Sequence, residues 1–152
     1  MLPAVLLWLL ALPALAADSL SQLLNADPPP NGVVIELVEG EEDALGELLP
    51  KVREAIAQLR QRYPDLEIAV VTHGGEQFAL QSSHQQEYAS IHQGVQQLVE
   101  EDVPVHVCGT HAGWYDVQPE DFPAYVDVAP SGPAQINQYR ELGYSLLRIK
   151  SD

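Results

Sequence analysis

The chain has 152 residues, a formal net charge of −15 and one cysteine. Its length favours a single domain, its acidic balance disfavours binding to nucleic acid or anionic membranes, and its lone cysteine excludes an intramolecular disulfide. The composition is 46% hydrophobic, which is enough to bury a sizeable core.

The first predicted element is a signal peptide over residues 1–16. An apolar run from Leu2 ends in Ala14-Leu15-Ala16, the small-x-small pattern of a signal-peptidase site. Cleavage after Ala16 predicts an exported, periplasmic protein without a stable membrane anchor. No Lys or Arg precedes Lys51, which is unusual for a signal peptide. A buried hydrophobic helix and a retained anchor therefore remain alternatives.

Residues 17–31 are predicted to form a Pro-rich linker, because three consecutive prolines favour an extended polyproline segment. The folded domain is expected over residues 32–152. Its first strand is predicted at Gly32–Val38, a β-branched run. An amphipathic helix follows, with apolar residues three and four positions apart, and Pro50 marks either its start or a kink.

Further strands and helices alternate along the rest of the domain. A strand ending in the Gly74-Gly75 pair precedes a helix, for which Ser83 and Gln86 form a capping-box pattern. Three more strands are predicted near residues 103–108, 124–132 and 144–150, with Gly143 ending the helix before the last. This alternation predicts one compact α/β domain with a mainly parallel central sheet of about five strands and helices on both faces.

Ligands of open α/β sheets bind beyond the carboxyl ends of the strands. The residues predicted at that edge are candidates for a pocket, and Cys108 is the candidate reactive group among them. The pocket candidates are His73, Gly74, Gly109, Thr110, Ser131 and Gly132.

The residues around Cys108 favour a reactive thiol. Gly109 permits a tight turn, and Thr110 is expected to cap a short helix beginning near His111. His106 shares a strand face with Cys108, and His111 follows three residues later, so either imidazolium would favour the thiolate. The competing interpretation is a buried, inert cysteine that packs as a small hydrophobe.

A metal site is a second interpretation of the same residues. His106, Cys108 and His111, together with His73, offer ligands for copper or zinc, although their spacing matches no strong metal signature. His84 and His92 are predicted to lie on a helix surface. No phosphate-binding, dinucleotide, hydrolase or dithiol motif is present, and no cofactor is predicted.

Three segments, "VVTHGG", "VHVCGTHAG" and "VDVAPSGPAQINQYRELGYSLLRI", resemble the DsrE/DsrF-like family of sulfur-metabolism proteins, and the resemblance spans residues 33–149. It implies a compact α/β fold that assembles into trimers or hexamers, and a persulfide carried on Cys108. Two features depart from the family: its sulfur-relay members are usually cytoplasmic, and the Trp114-Tyr115 pair has no clear counterpart.

The sequence therefore predicts an exported, oligomeric DsrE-like protein that carries sulfane sulfur on Cys108 and exchanges it with a donor or acceptor, either a protein or a small sulfur compound. It is expected to act as a sulfurtransferase-like carrier rather than as a turnover enzyme. His106 and His111 are predicted to tune the thiol. The alternatives are a periplasmic metal- or small-molecule-binding module at the same strand edge, and a non-catalytic interaction domain.

Overall fold

The computed structural model describes residues 16–152, and its centre is a five-stranded parallel sheet. The strand order is β4-β3-β2-β1-β5, and every pairing is parallel. The predicted fold class is therefore confirmed. The strands are β1 (Gly32–Leu37), β2 (Glu67–Thr72), β3 (Val105–Cys108), β4 (Asp127–Ala129) and β5 (Tyr144–Arg148).

Helices cover both faces of this sheet. They are α1 (Leu20–Leu24), α2 (Leu45–Arg62), α3 (Ala89–Glu100), α4 (Gly109–Gly113) and α5 (Gly132–Glu141). Because successive strand residues point to opposite faces, β1 contributes to two cores. Val33 and Ile35 pack in the main core, which also holds the buried residues of α2 and α3, whereas Val34 packs with Ile136 of α5.

Helix α2 passes through Pro50 instead of beginning there. It runs from Leu45 to Arg62, so of the two predicted roles for Pro50 the start of the helix is excluded and Pro50 lies within the helix. Proline removes the hydrogen bond to the carbonyl four residues back, which here belongs to Gly46. Both residues are solvent-exposed, so water can satisfy that carbonyl. Seven apolar residues buried along α2 hold the helix on the sheet in spite of the missing bond.

The segment predicted as a linker packs on the domain. Ser19 caps α1 in a capping box with Gln22, and Leu23 is buried. The Tyr63 hydroxyl donates to the Leu23 carbonyl at 2.9 Å, and the Asp18 N–H donates to Leu146 of β5 at 2.8 Å. Residues 18–26 are therefore part of the folded unit and not a free tether. The predicted signal peptide falls on residues 1–16, of which all but Ala16 lie outside the described residues.

The start of α3 differs from its prediction. Ser83 lies in a short 3-10 turn, Ser82–His84, and α3 begins only at Ala89 without a side-chain cap, so the capping box from Ser83 is not formed. His92 was expected on the surface but is fully buried. Its Nε2 donates to the Ala79 carbonyl at 2.8 Å, and its Nδ1 is hydrogen-bonded to the Tyr125 hydroxyl. These two hydrogen bonds satisfy both ring nitrogens and offset the loss of water on burial.

The C-terminal elements follow the prediction more closely. Gly143 has a φ of +88°, the left-handed conformation in which glycine ends α5 before β5 begins. Strand β4 is shorter than expected, because only Asp127–Ala129 pairs with β3. Over residues 16–152, no helix has the length and apolar character needed to cross a membrane.

Candidate functional site

The carboxyl ends of β2, β3 and β4 bring together three of the predicted site residues. A Cβ placed on Gly132 would lie 2.6 Å from the Cβ of His73 and 3.3 Å from the Cβ of Cys108. The start of α5 therefore presses directly against the cysteine and the histidine, and only glycine fits there. Ser131 is the N-cap of α5, and its Oγ accepts the Ala134 N–H at 3.4 Å.

Cys108 is the last residue of β3 and the N-cap of α4. Its backbone is extended, with φ −92° and ψ 109°, and its Sγ accepts the His111 N–H at 3.4 Å. The side chain is buried, with 5% of the residue exposed. Such a hydrogen bond strengthens when the sulfur carries negative charge. The sulfur is therefore held at the strand end and shielded from bulk water.

Thr110 was expected to cap α4, but the helix begins two residues too early for that. Because Gly109 is already helical, the cap position falls on Cys108. The Thr110 hydroxyl and N–H both donate instead to the Pro130 carbonyl, at 2.6 and 3.1 Å. At Gly109, a Cβ would lie 2.9 Å from the Ala129 carbonyl oxygen, so this glycine permits the close approach of two chain segments.

Gln77 holds the backbone of Cys108, and no sequence pattern had marked it. This fully buried side chain accepts the Cys108 N–H at 2.7 Å and donates to the Cys108 carbonyl at 3.2 Å. Strand β2 ends at Thr72, and the chain then leaves the sheet for a 3-10 turn, Gly75–Leu80. The Gln77 amide takes the place that the next β2 peptide would occupy in a longer strand.

His106 is bonded to groups other than the thiol. Its Nδ1 lies 2.5 Å from Asp127 Oδ2, and its Nε2 lies 2.7 Å from the Tyr139 hydroxyl. The carboxylate only accepts, so Nδ1 carries the proton and a neutral ring accepts from Tyr139. Burial raises the pKa of Tyr139, so this phenol stays protonated. His106 thus anchors α5 to β3, and neither of its ring nitrogens is free to act on Sγ.

His111 connects the cysteine with the neighbouring strand end. Its backbone N–H donates to Sγ, while its Nδ1 donates to the His73 carbonyl at 2.9 Å. A carbonyl only accepts, so Nδ1 carries the proton in the neutral ring. The ring packs edge-on against Phe78 and Tyr115, with centroids 5.1 and 5.6 Å away. Of the two predicted tuning histidines, His111 is the one that touches the thiol.

A charged group that the sequence did not reveal lies next to His73. His73 Nε2 and Arg148 Nε lie 3.8 and 3.1 Å from the same oxygen of Glu36. The His73 ring, and then the Arg148 guanidinium, lower the pKa of Glu36 below its usual value, against the opposing effect of burial. Glu36 and Arg148 are partners on adjacent parallel strands, 112 residues apart. Long-range pairing of this kind leaves no local sequence signal.

Gly74 lies where the chain after β2 crosses the chain after β1. A Cβ on Gly74 would stand 2.3 Å from the Glu39 carbonyl oxygen. The buried Glu76 ties the same crossing together. Its carboxylate accepts from the Thr72 hydroxyl at 2.7 Å, the Gly74 N–H at 3.0 Å and the Glu39 N–H at 2.8 Å. Three donors on one carboxylate offset its loss of water.

A cleft of about 860 Å³ opens at this crossing. It is within the size range of ligand sites, roughly 300–1,000 Å³. Cys108 does not line the cleft. His111 does line it, and the backbone N–H of His111 donates to the thiol sulfur. The remaining lining residues are Val38, Glu39, Gly40, Glu42, Gly74, Gly75, Phe78, Gln81, Tyr115 and Val117.

The metal interpretation finds no support in this geometry. Among residues 16–152, no three His, Cys, Asp or Glu side chains are grouped so that they could hold a metal ion. Two of the candidate ligands are held by other partners. Both ring nitrogens of His106 are hydrogen-bonded, and Nδ1 of His111 faces a carbonyl.

The fold and the site define a class of protein: a small parallel α/β domain with one cysteine at the carboxyl edge of its sheet. The model of the DsrE/DsrF-like family matches residues 42–149, so the chain belongs to that family, which is linked to sulfur relay. No curated protein sequence matches the chain at a significant level.

Three solved structures share the fold. A protein of unknown function from Methanobacterium thermoautotrophicum, MTH1491, is 24% identical, with a TM-score of 0.62 over 77% of this chain and 97% of its own. The YchN protein of E. coli is 20% identical, with a TM-score of 0.60 over 78% and 99%. BT1422 from Bacteroides thetaiotaomicron is 11% identical, with a TM-score of 0.53 over 78% and 95%. At these identities the likeness concerns the fold alone.

Proposed function

We propose that this protein carries sulfane sulfur as a persulfide on Cys108. The observation that carries the proposal is the position of Sγ, which caps α4 at the end of β3 and accepts the His111 N–H. Gln77 holds the backbone of the same residue from the other side. Membership of a family linked to sulfur relay supports the assignment.

The exchange needs no second cysteine and no external oxidant. The Cys108 thiolate attacks the outer sulfur of a donor persulfide, the donor's S–S bond breaks, and the donor leaves as a thiolate. Cys108 then holds the extra sulfur. An acceptor thiolate attacks that outer sulfur, the new S–S bond breaks, and the Cys108 thiolate is released. The protein is thus a carrier, and any turnover depends on its partners.

The shielding of Cys108 suits this role. Thiolates that are freely exposed are oxidised stepwise to sulfenic and sulfinic acids. Only 5% of Cys108 is exposed, because the start of α5 and the turn into α4 cover it. Limited access protects the sulfur between transfers and requires a partner or a small local movement for each transfer.

Export and assembly complete the proposal. We propose that the apolar run ending at Ala16 directs the protein to the periplasm and is removed, and that the domain forms a trimer or hexamer. N-terminal sequencing of the protein from the periplasmic fraction should give Ala17 as its first residue. Light scattering of the same material should give three or six times the mass of one chain. A start at Met1 or a monomeric mass would refute the respective part.

Intact-mass spectrometry without reductant tests the carrier function. The protein is incubated with inorganic polysulfide beside a Cys108→Ser variant. We expect a gain of whole sulfur atoms that reductant removes and that the variant lacks. A wild-type protein that gains no sulfur, or a variant that gains as much, would rule out Cys108 as the carrier.

A second function is favoured by the low exposure of the thiol. If Cys108 only packs the strand end, the protein is a non-catalytic interaction domain. In that case the thiol will react with an alkylating reagent only after unfolding, and polysulfide will leave the mass unchanged. Alkylation of the native protein, together with sulfur uptake, would support the carrier function over the interaction domain.

A further inference from the structure

The cleft beside Cys108 has an aromatic wall that continues onto the surface. Phe78 packs edge-on against Tyr115 with ring centroids 5.3 Å apart, and His111 packs against both rings. Trp114, whose ring centroid is 5.5 Å from that of His111, extends the row outward. Trp114 and Tyr115 are 74% and 66% exposed. Large exposed aromatic side chains of this kind are typical anchors of protein–protein contacts.

The lining of the same cleft is also acidic. Glu39 and Glu42 line it, and Glu41 and Asp43 lie in the same loop. None of the residues lining the cleft is Lys or Arg. Of these acidic side chains, Glu42 contacts His84, and Glu39 accepts the Ser151 N–H. Because the chain also carries a net charge of −15, the cleft attracts cations and repels anions.

We propose that this cleft docks a basic, Lys- or Arg-containing polypeptide segment of the protein that exchanges sulfur with Cys108. The inference rests on the proposed carrier function and names the class of its partner. A basic side chain can pair with the carboxylates of the cleft and stack on its aromatic rings. Trp114 adds exposed surface outside the cleft, next to the largely exposed Tyr115 that lines it, and this extended surface suits a polypeptide better than a small cation.

Two other occupants fit poorly. A second copy of this chain would bring another acidic loop against the first, and juxtaposed like charges oppose association. A small anion such as thiosulfate would meet the same repulsion. His111 explains why docking here matters for Cys108, because its ring lines the cleft while its N–H donates to Sγ. A segment bound in the cleft would therefore contact His111, which in turn contacts the thiol.

Fluorescence anisotropy of a labelled, cysteine-free peptide of alternating lysine and glycine tests the inference. A peptide of alternating glutamate and glycine serves as the opposite-charge probe. We expect the lysine peptide to bind and the glutamate peptide not to bind. The Trp114→Ala/Tyr115→Ala variant should bind the lysine peptide about tenfold more weakly, which corresponds to about 1.4 kcal/mol for the two anchors together. Both side chains are exposed, so the variant should fold normally.

Two triple variants separate the cleft from overall charge. Neutralising Glu41, Glu42 and Asp43 to their amides should weaken binding at least about fivefold. The same change at Asp65, Glu100 and Glu141 should have an effect below about twofold, because these exposed residues precede β2, β3 and β5 at the opposite edge of the sheet. Equal weakening by both triples, or no binding by the wild type, would overturn the inference.

The peptide carries no thiol, so this test is independent of sulfur chemistry. Cys108→Ser should bind the lysine peptide as the wild type does. If peptide binding fails while polysulfide still loads Cys108, only the docking surface is wrong. If the peptide binds in the cleft and Cys108 gains no sulfur, the carrier function is wrong and the cleft remains an interaction site.

Discussion

At the residue scale, the environment of Cys108 is built by side chains that are distant in sequence. Gln77 supplies an amide to both backbone polar groups of Cys108, 31 residues away along the chain. His111 supplies the hydrogen bond to the sulfur. A strand end would otherwise leave a buried N–H and C=O without partners, which is costly in a protein interior. The cysteine is thus held by hydrogen bonds to its backbone and its sulfur, as well as by packing.

Replacing Gln77 by leucine should destabilise the fold and loosen the thiol. Gln77→Leu keeps the size of the side chain but leaves the Cys108 N–H and C=O unpaired, so the free energy of unfolding should fall by about 2–5 kcal/mol. Native-state alkylation of Cys108 should become faster. Urea unfolding and the rate of iodoacetamide labelling measure the two effects.

Gln81→Leu is the matched control for this prediction. Gln81 is half-buried, and its amide makes only a local hydrogen bond to the Phe78 carbonyl. It should change stability and labelling little. If Gln77→Leu and Gln81→Leu behave alike in both measurements, the amide does not hold the cysteine.

Glu36 should make stability depend on acid pH. Its pKa is lowered in the folded protein by His73 and Arg148, so its contribution is present above the ordinary carboxyl range, about pH 4, and is lost as the pH falls through the folded value. Arg148→Met removes the guanidinium and should raise the pKa of Glu36. An NMR titration of the Glu36 carboxyl carbon measures the shift. Arg60→Met should leave that titration unchanged, and an unchanged titration in Arg148→Met would refute the assigned cause.

At the scale of elements, the site depends on how closely the segments after each strand approach one another. A Cβ on Gly75 would stand 2.1 Å from the Gly40 carbonyl oxygen, so the chains after β1 and β2 cross in contact. Gly132 likewise brings the start of α5 against His73, which follows β2, and against Cys108 of β3. These contacts fix the distance between strand ends, and hence the positions of His73 and Cys108. These glycines allow the backbone segments to approach this closely.

Gly132→Ala should disturb α5 and the thiol together. The new methyl group would overlap the Cβ of His73 and press on that of Cys108, so overpacking should cost about 1–3 kcal/mol. The native labelling rate of Cys108 should change as well. Gly113→Ala is the control, since a Cβ there meets no atom within 4 Å. Thermal unfolding and iodoacetamide labelling compare the pair, and a stable Gly132→Ala protein with wild-type labelling would contradict this account of the site.

At the scale of the whole molecule, charge decides which reagents reach the site. The net charge of −15 is spread over a small domain, and the loop after β1 concentrates four acidic residues beside the cleft. A field of this sign slows the approach of anions and speeds that of cations, and salt screens it. The sequence predicted that the acidity disfavours nucleic acid and anionic membranes. The slower approach of anionic sulfur donors follows from the position of the acidic side chains beside the cleft.

Salt should therefore speed the reaction of Cys108 with anionic reagents. We expect the rate of alkylation by iodoacetate to rise as ionic strength increases toward about 0.15 M, where the screening length is about 8 Å. Iodoacetamide is neutral and should react at a rate nearly independent of salt. Following both rates on the native protein isolates the effect of charge from that of access. Equal salt dependence of the two reagents would show that the field does not extend to the thiol.

The sequence alone determined the architecture, because hydrophobic periodicity is a local property. The runs that became β1 and β2 and the apolar spacing of α2 each reflect burial on a defined face, and a parallel sheet follows from their alternation. It also placed Cys108 at a strand end. It misplaced the start of α3, because a capping pattern is only a weak preference that tertiary packing can override.

Only the tertiary structure decided what surrounds the cysteine. Gln77, Glu36 and Arg148 join the site through contacts between segments that the chain brings together when the strands pair. In the folded chain His106 is hydrogen-bonded to Asp127 and Tyr139, and the His111 N–H donates to the sulfur. A sequence shows which residues can donate or accept a hydrogen bond, but their partners depend on distances in the folded chain, and burial requires each of them to find one.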